Sequence, residues 1–109
     1  MANTFKLKTK ANVGVTTVGI YTAPAATTTV VIGITMANTS GSGVNVGVGI
    51  TRAGTTEDVK LLKNAPIPQG SSLEFMGGNK VVLETNDQIN VDSDTNNSVD
   101  AALTIMEIT

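Results

Sequence analysis

An acidic segment near the end of the chain has residue types and spacing that could bind calcium. Oxygen-bearing side chains at alternate positions resemble the first part of a calcium-binding loop. Two positions depart from that pattern: Asn97 stands where the loop needs glycine, and Leu103 where it needs a bidentate glutamate. A polar turn between strands has the same composition. We therefore expect no metal or other cofactor; the weak candidate ligands are Asp92, Asp94, Asn96 and Asp100.

Catalytic constellations are missing from the sequence. The chain has no histidine and no cysteine, which excludes a Ser–His–Asp triad, a thiolate nucleophile and a Cys/His zinc site. Its many threonines and serines have no neighbouring base, and no Ser-x-x-Lys pattern occurs. Paired carboxylates such as Asp92 and Asp94 would need a sugar-binding cleft, but the chain has only three aromatic residues. We expect that the protein is not an enzyme.

The composition favours strands. Thr, Val and Ile occupy 38 of the 109 positions, against six leucines. Branched side chains pack well on a pleated surface, and apolar residues alternate with polar ones between clusters of Gly, Pro, Asn and Ser. We predict an all-β chain with a single antiparallel β-sandwich of about seven to nine strands, either immunoglobulin-like or a jelly roll. No helix is required.

Charge argues against two classes of partner. The net charge is −2 and the chain has one arginine, so we expect no nucleic-acid binding. Its apolar stretches are shorter than the roughly 20 residues of a membrane span, so we expect no membrane contact. Six of the seven positive charges lie in residues 1–63, and seven of the nine negative charges lie in residues 64–109. This asymmetry suits docking or self-association, although intramolecular pairing would also explain it.

Two stretches predict the centre of the sandwich. In residues 27–36, Val30, Ile32, Ile34 and Met36 fall on one face. In residues 44–51, four alternating aliphatic residues predict the core face, and the Gly/Ser-rich segment 38–43 predicts a hairpin turn between the stretches. Further strands are predicted over 13–21, 58–64, 71–76, 80–85, 89–92 and 99–108, with 65–70 as a stiff turn. Met36, Met76 and Met106 are predicted to fill the core, and the alternative is that they are adaptable interface residues.

Two places are candidates for partner contact. Residues 1–12 form a basic arm or edge strand, where Phe5, Leu7 and Thr9 alternate with a lysine row that would face outward and block aggregation. Residues 13–109 then form the sandwich domain. On the strand over 44–51, the face opposite the core is nearly bare, which permits close approach of another chain. The candidate contact residues are Phe5, Lys6, Lys8, Lys10, Asn45, Gly47 and Gly49.

Several segments resemble small structural proteins of tailed bacteriophages, including marine and cyanobacterial phages. The similar segments are the opening Met1-Ala2-Asn3-Thr4-Phe5-Lys6, Val18-Gly19-Ile20-Tyr21-Thr22-Ala23-Pro24-Ala25, Val31-Ile32-Gly33-Ile34-Thr35-Met36-Ala37-Asn38, Ala65-Pro66-Ile67-Pro68-Gln69-Gly70-Ser71-Ser72-Leu73, Lys80-Val81-Val82-Leu83-Glu84-Thr85-Asn86-Asp87-Gln88-Ile89 and the closing Ile105-Met106-Glu107-Ile108-Thr109. Thr85-Asn86 stands where a small turn such as Ala-Gly is commoner in these proteins. The resemblance spans nearly the whole chain and implies a virion structural protein without catalytic residues.

The resemblance leads to three expectations about function. The first is a capsid decoration, or cement, protein that binds the major capsid protein as a homo-oligomer such as a trimer. It would act in the virion after assembly in the host cytoplasm. The second is a component of the tail, neck or baseplate. The third is a module that binds cell-surface glycans, with or without calcium.

Overall fold

The computed structural model describes residues 3–54, 57–75 and 80–109, and all structural statements concern these residues. These residues form strands and turns. They include no helix long and apolar enough to cross a membrane. The strands are β1 (Asn3–Val13), β2 (Val18–Thr22), β3 (Thr28–Asn38), β4 (Val44–Thr51), β5 (Asp58–Ile67), β6 (Ser72–Phe75), β7 (Val81–Leu83), β8 (Gln88–Ser93) and β9 (Val99–Ile108).

The strands form two antiparallel sheets. One has the order β1-β9-β3-β6, with β7 also paired to β3, and the other has the order β2-β8-β4-β5. β6 and β7 pair with successive parts of β3, through Thr35 opposite Glu74 and Val30 opposite Val82, so they act as one interrupted strand. The chain changes sheet at every connection except β4–β5 and β6–β7. This order identifies the sandwich as a jelly roll and decides between the two predicted architectures.

The inner faces of both sheets are filled with aliphatic side chains. Alternate residues of β9 from Val99 to Ile105 are buried, and so are the four alternating aliphatic residues of β4. Branched side chains suit this position because they have few rotamers to lose and pack closely on a pleated surface. The largest fully buried side chains include Ile34, Met36, Ile67, Leu83, Ile89, Leu103 and Ile105.

The predicted hairpin between residues 27–36 and 44–51 is wrong. β3 and β4 lie in different sheets, so the segment between them crosses from one sheet to the other. Asn38 holds this crossing: its Nδ2 donates to the carbonyl oxygens of Ser42 at 2.8 Å and Ile67 at 2.9 Å. Its Oδ1 accepts hydrogen bonds from the amide and hydroxyl of Ser40. A buried amide side chain therefore makes the contacts that a tight turn would make in a hairpin.

The predicted inner face of residues 27–36 is also wrong in its first half. The register of β3 against β9 shifts between Val31 and Gly33, which marks a β-bulge. After the bulge, Ile34 and Met36 face the core as predicted, but before it the buried residue is Val31. Val30 is turned to the outer surface because one extra residue reverses the alternation.

Other boundaries differ from the sequence prediction. The predicted strand over 13–21 is divided, since β1 ends at Val13 and β2 begins at Val18. β5 continues through Pro66 to Ile67, which replaces the first half of the predicted turn. Met36 fills the core as predicted, whereas Met106 is half-buried on the outer surface. Met76 and the predicted turn after it lie outside the described residues.

Truncation of one buried and one exposed leucine should separate core packing from surface effects. Leu103 is fully buried on β9, and Leu7 is 64% exposed on the neighbouring strand. We expect Leu103→Ala to lower the free energy of unfolding by about 2–5 kcal/mol because it leaves a cavity. Leu7→Ala should change it by less than about 1 kcal/mol. Urea unfolding measures both, and equal losses would contradict the described orientation of β1.

Candidate interaction surface

β1 is the edge strand of the five-stranded sheet. It pairs with β9 in unbroken antiparallel register from Asn3 opposite Ile108 to Lys10 opposite Ala101. Directly opposed residues in such a pair project to the same face. Lys6 is opposite Ile105 and Lys8 is opposite Leu103, and both of these β9 residues are buried. The lysine row therefore projects toward the inner side of the sheet, contrary to the outward orientation expected from the sequence.

The outward face of β1 is consequently apolar. Phe5 lies opposite Met106 and Leu7 lies opposite Thr104 on the solvent side of the sheet. Phe5 is 69% exposed and Leu7 is 64% exposed. Large apolar side chains with this exposure on adjacent positions commonly belong to contact surfaces.

The outward apolar residues continue across the sheet as one row. Phe5 on β1 is opposite Met106, Met106 is opposite Val30 on β3, and Val30 is opposite Val82 on β7. Val82 is 56% exposed. We call these four residues the apolar row. Because they are in direct register, their side chains lie side by side across four strands.

The remainder of this outer face is formed mostly by uncharged residues. A shallow cavity of about 350 Å³ lies over Ala37, Ala102 and neighbouring residues of β1, and a second of about 340 Å³ borders Ile32 and Thr104. Among paired positions of the described strands, the charged residues of this face are Glu74 and Asp100, opposite Thr35 and Ala37. Asp100 borders the first cavity and Glu74 borders the second. The apolar row itself contains no charged residue, and the two carboxylates lie beyond it on the same face.

A buried polar cluster attaches β1 to the opposite sheet. The hydroxyl of Tyr21 on β2 donates to Oε2 of Glu107 at 2.6 Å, and Lys6 Nζ lies 2.9 Å from Glu107 Oε1. Thr29 on β3 lies 2.7 Å from the Tyr21 hydroxyl and donates to it, because the single tyrosine proton is used on Glu107. Lys8 Nζ is 6.0 Å from the centre of the Tyr21 ring. The cluster joins β1, β9 and β3 to β2.

The surroundings shift the pKa of both Tyr21 and Glu107. Burial, followed by the hydrogen bond to Glu107, raises the pKa of Tyr21 to about 12. Hydrogen bonds from Tyr21 and Lys6 lower the pKa of Glu107 below its ordinary value and outweigh the opposite effect of burial. At neutral pH the cluster therefore contains a carboxylate that accepts two charge-stabilising contacts.

The predicted bare face of β4 is covered by the chain itself. A Cβ atom on Gly47 would lie 2.6 Å from Oδ1 of Asp92, and one on Gly49 would lie 3.0 Å from Oδ1 of Asn90. Asp92 and Asn90 are opposite these glycines on β8, so their side chains lie across the glycine backbone. Gly47 and Gly49 are buried, and Asn45 is exposed at the end of the strand. The glycines make room for intramolecular side chains on this face.

The outer face of the four-stranded sheet is consequently polar and internally hydrogen-bonded. Asn90 donates to the Thr51 hydroxyl at 3.1 Å, and Thr51 donates to Asp58 at 2.8 Å. Thr17 donates to Asp92 at 3.0 Å, and Lys60 lies 3.7 Å from the same carboxylate oxygen. The two outer faces therefore differ: one has apolar side chains in a row, and the other is polar with its groups paired.

The four candidate calcium ligands do not converge. Asp92 projects to the outer face of one sheet and Asp100 to the outer face of the other. Asp94 accepts from the amide of Asn45, Asn96 from that of Val15, and Asp100 from that of Asn12. Among the described residues, no three acidic, histidine or cysteine side chains form a group that could hold a metal. These side chains tie the β8–β9 connection to neighbouring loops.

Arg52, Glu84 and Asp87 form a second ionic site, at the end of the sandwich where β4 ends, in which only the Asp87 side chain is buried. Arg52 lies 2.6 Å from Glu84 and 3.1 Å from Asp87. Burial alone would raise the pKa of Asp87, but the amides of Ala53 and Glu84 together with Arg52 lower it. Both oxygens of Asp87 accept backbone hydrogen bonds, so this site holds two loops together.

No protein-family model matches the chain, and no curated protein matches it. Solved structures do share its fold. A chain in the capsid of the Helicobacter pylori bacteriophage KHP30 is 10% identical with a TM-score of 0.59, over 100% of this chain and 89% of that one. A chain of the cyanophage Pam1 capsid is 16% identical with a TM-score of 0.55, over 95% and 85%. A chain of the disulfide-linked pili of Bacillus endospore appendages is 13% identical with a TM-score of 0.57, over 99% and 87%. At these identities the likeness establishes the fold.

The sequence makes Phe5 a candidate contact residue, and that stays a prediction; it does not indicate that Met106, Val30 and Val82 share the outward face of Phe5. Val30 was assigned to the core because the bulge in β3 is not visible in the sequence. Met106 was also assigned to the core, although Ile105 beside it already occupies the inward position. The available signal was β9 itself, where Met106 and Ile108 make the second face apolar as well.

Glu107→Gln should test the polar cluster through the pH dependence of stability. The folded-state pKa of Glu107 is lowered, so its contribution is present above the ordinary glutamate value of 4.5 and is lost as the pH falls through the folded pKa. We expect the substitution to lower the free energy of unfolding at neutral pH by about 1–3 kcal/mol. The difference from the unmodified protein should shrink below pH 4.5 in urea titrations. A pH-independent difference would contradict an ionised Glu107 in the cluster.

Proposed function

We propose that this protein is a virion structural protein, and most specifically a capsid decoration protein that stabilises the major capsid lattice by non-covalent contacts. The observation that carries the proposal is the apolar row, from Phe5 to Val82, on an outer face whose charged residues, Glu74 and Asp100, lie outside that row. The protein also shares its fold with chains of two phage capsids, and each of those chains is matched over most of its length. This likeness supports a role in a virus particle.

The dimensions of the outer face suit a specific contact. Four strands about 4.8 Å apart, with roughly eight residues each, span on the order of 20 by 30 Å. Because side chains project from the sheet, the accessible surface of this face is larger than its flat extent. It approaches the ~800 Å² per partner that is usual for a stable protein interface. Burial of Phe5, Leu7 and Val82 would remove three largely exposed apolar side chains from water. On a lattice, many such modest contacts act together.

The structure refines which part of the chain should be altered to test attachment. The N-terminal segment to Lys10 forms backbone pairs with β9, and Lys6 contacts Glu107. Its deletion would expose a new sheet edge and remove the ionic partner of Glu107. Point substitutions on the outer face leave those contacts in place and are the better test.

The copy number of the chain in purified particles is the decisive measurement. A decoration protein that follows the lattice should be present in a ratio between one-to-one and one-to-a-few relative to the major capsid protein, by quantitative mass spectrometry. A ratio of one to many tens would favour a tail, neck or baseplate component instead. Absence from particles would reject the virion proposal. Light scattering of the isolated protein would test the expected homo-oligomer, a trimer in the simplest lattice arrangement.

Paired serine substitutions test whether the outer face makes the contact. We expect Leu7→Ser with Val82→Ser to weaken binding to particles that lack the protein by at least about tenfold, because two exposed apolar side chains are lost from the interface. The matched control is Val15→Ser with Val59→Ser, which removes two exposed apolar side chains outside this face. Co-sedimentation measures binding, and thermal melting verifies folding. Equal losses in the two variants would reject the outer face as the attachment surface.

A further inference from the structure

The free edge of β1 is a second surface beside the apolar row. The order of the five-stranded sheet ends at β1, so every second residue turns its backbone N–H and C=O groups away from β9. The register with β9 is regular from Asn3 to Lys10, without the bulge or proline that commonly protects an edge. Nearly all of this stretch is exposed. The edge is therefore long, regular and available to another extended chain.

The side chains of β1 restrict which chain could add to it. Among the described residues, Lys6 is paired with Glu107, whereas Lys8 and Lys10 are in no ion pair. Lys8 and Lys10 are two positions apart on one face of the strand, so they lie about 7 Å from each other. A second copy of β1 would place its own lysines opposite these lysines, which is unfavourable. An added strand needs negative charge on this face.

The other face of β1 imposes a complementary requirement. Phe5 and Leu7 project outward at positions that alternate with the lysines. A strand added beside β1 would place its own alternate residues next to Phe5 and Leu7, where apolar side chains extend the apolar row. The two requirements together define a strand with acidic and apolar residues in alternation.

We propose that the free edge of β1 binds an extended segment of a partner protein in which acidic residues alternate with apolar ones, as an added β-strand. This inference deepens the proposed function by naming the chemistry of the virion segment that contacts β1. The acidic side chains would pair with Lys8 and Lys10, and the apolar ones would pack beside Phe5 and Leu7. Backbone hydrogen bonds would provide affinity, and the alternation would provide the register.

Fluorescence anisotropy with labelled peptides tests this proposal without a particle. The probe is a peptide of about ten residues in which Glu alternates with Val and Thr, the length of a typical added strand. Its first control has the same composition with the glutamates clustered, and its second has prolines that remove backbone donors. We expect the alternating peptide to bind and both controls to bind at least about fivefold more weakly. Amide NMR shifts should be concentrated in residues 4–10.

Charge reversal tests the role of the two unpaired lysines. Lys8→Glu with Lys10→Glu should weaken binding of the alternating peptide by about tenfold, since two attractive cross-strand pairs become repulsive. Lys63→Glu with Lys80→Glu has the same net charge and alters two exposed lysines outside β1, so it should bind normally.

Several outcomes would overturn the proposal. One is that the alternating peptide does not bind at millimolar concentration, and another is that the clustered peptide binds as tightly as the alternating one. A third is that both charge-reversed variants lose the same affinity for the alternating peptide. The last is that a single-stranded oligonucleotide binds more tightly than the alternating peptide. None of these depends on particle attachment through Leu7 and Val82. Failure of the strand proposal can therefore be distinguished from failure of the proposed function.

Discussion

The orientation of the whole five-stranded sheet depends on the antiparallel pairing of β9 with both β1 and β3. Opposed residues in such pairs share a face, so the buried row of β9, which includes Leu103 and Ile105, sets the inner side for its neighbours. On β1 this rule places lysines inward and Phe5 outward. The surface chemistry of the protein thus follows from the requirement that one face of β9 be removed from water.

Inward lysines at a sheet edge would be costly without compensation. Lys6 is compensated by Glu107, which also accepts the Tyr21 hydroxyl proton from the opposite sheet. A buried charge paired in this way costs less than an unpaired one, and the cluster joins β1, β9 and β3 to β2. Lys8 and Lys10 lie farther along the same edge and form no ion pair in the described structure, and the proposed preference for an acidic strand depends on them.

The outer faces of the two sheets differ in the residues that they present to water. On the four-stranded sheet, polar side chains of β8 lie across Gly47 and Gly49 and form hydrogen bonds with neighbouring residues, so little remains to attract a partner. On the five-stranded sheet, the apolar row remains uncovered. Chains of phage capsids and of a bacterial pilus share this fold, and each of those chains is part of an assembly. An uncovered apolar face is the feature of this sandwich on which the proposed role in assembly depends.

The sequence by itself determined the strand content and most of the core. Alternation along residues 44–51 and 99–108 correctly predicted β4, β9 and their buried faces, because a strand with one buried face requires a period of two. It also predicted a two-sheet sandwich, but left immunoglobulin-like and jelly-roll orders open, because local patterns do not encode which strands become neighbours.

Tertiary structure decided the rest. The bulge at Val31 and Gly33 reversed the face of Val30, and the crossing at Asn38 replaced the expected hairpin. Both depend on contacts between residues far apart in the chain. The faces of β1 were ambiguous because lysines and apolar residues alternate equally well in either orientation. Pairing with β9 selected one orientation, and thereby decided that the apolar side chains, rather than the lysines, lie on the open face of the sheet.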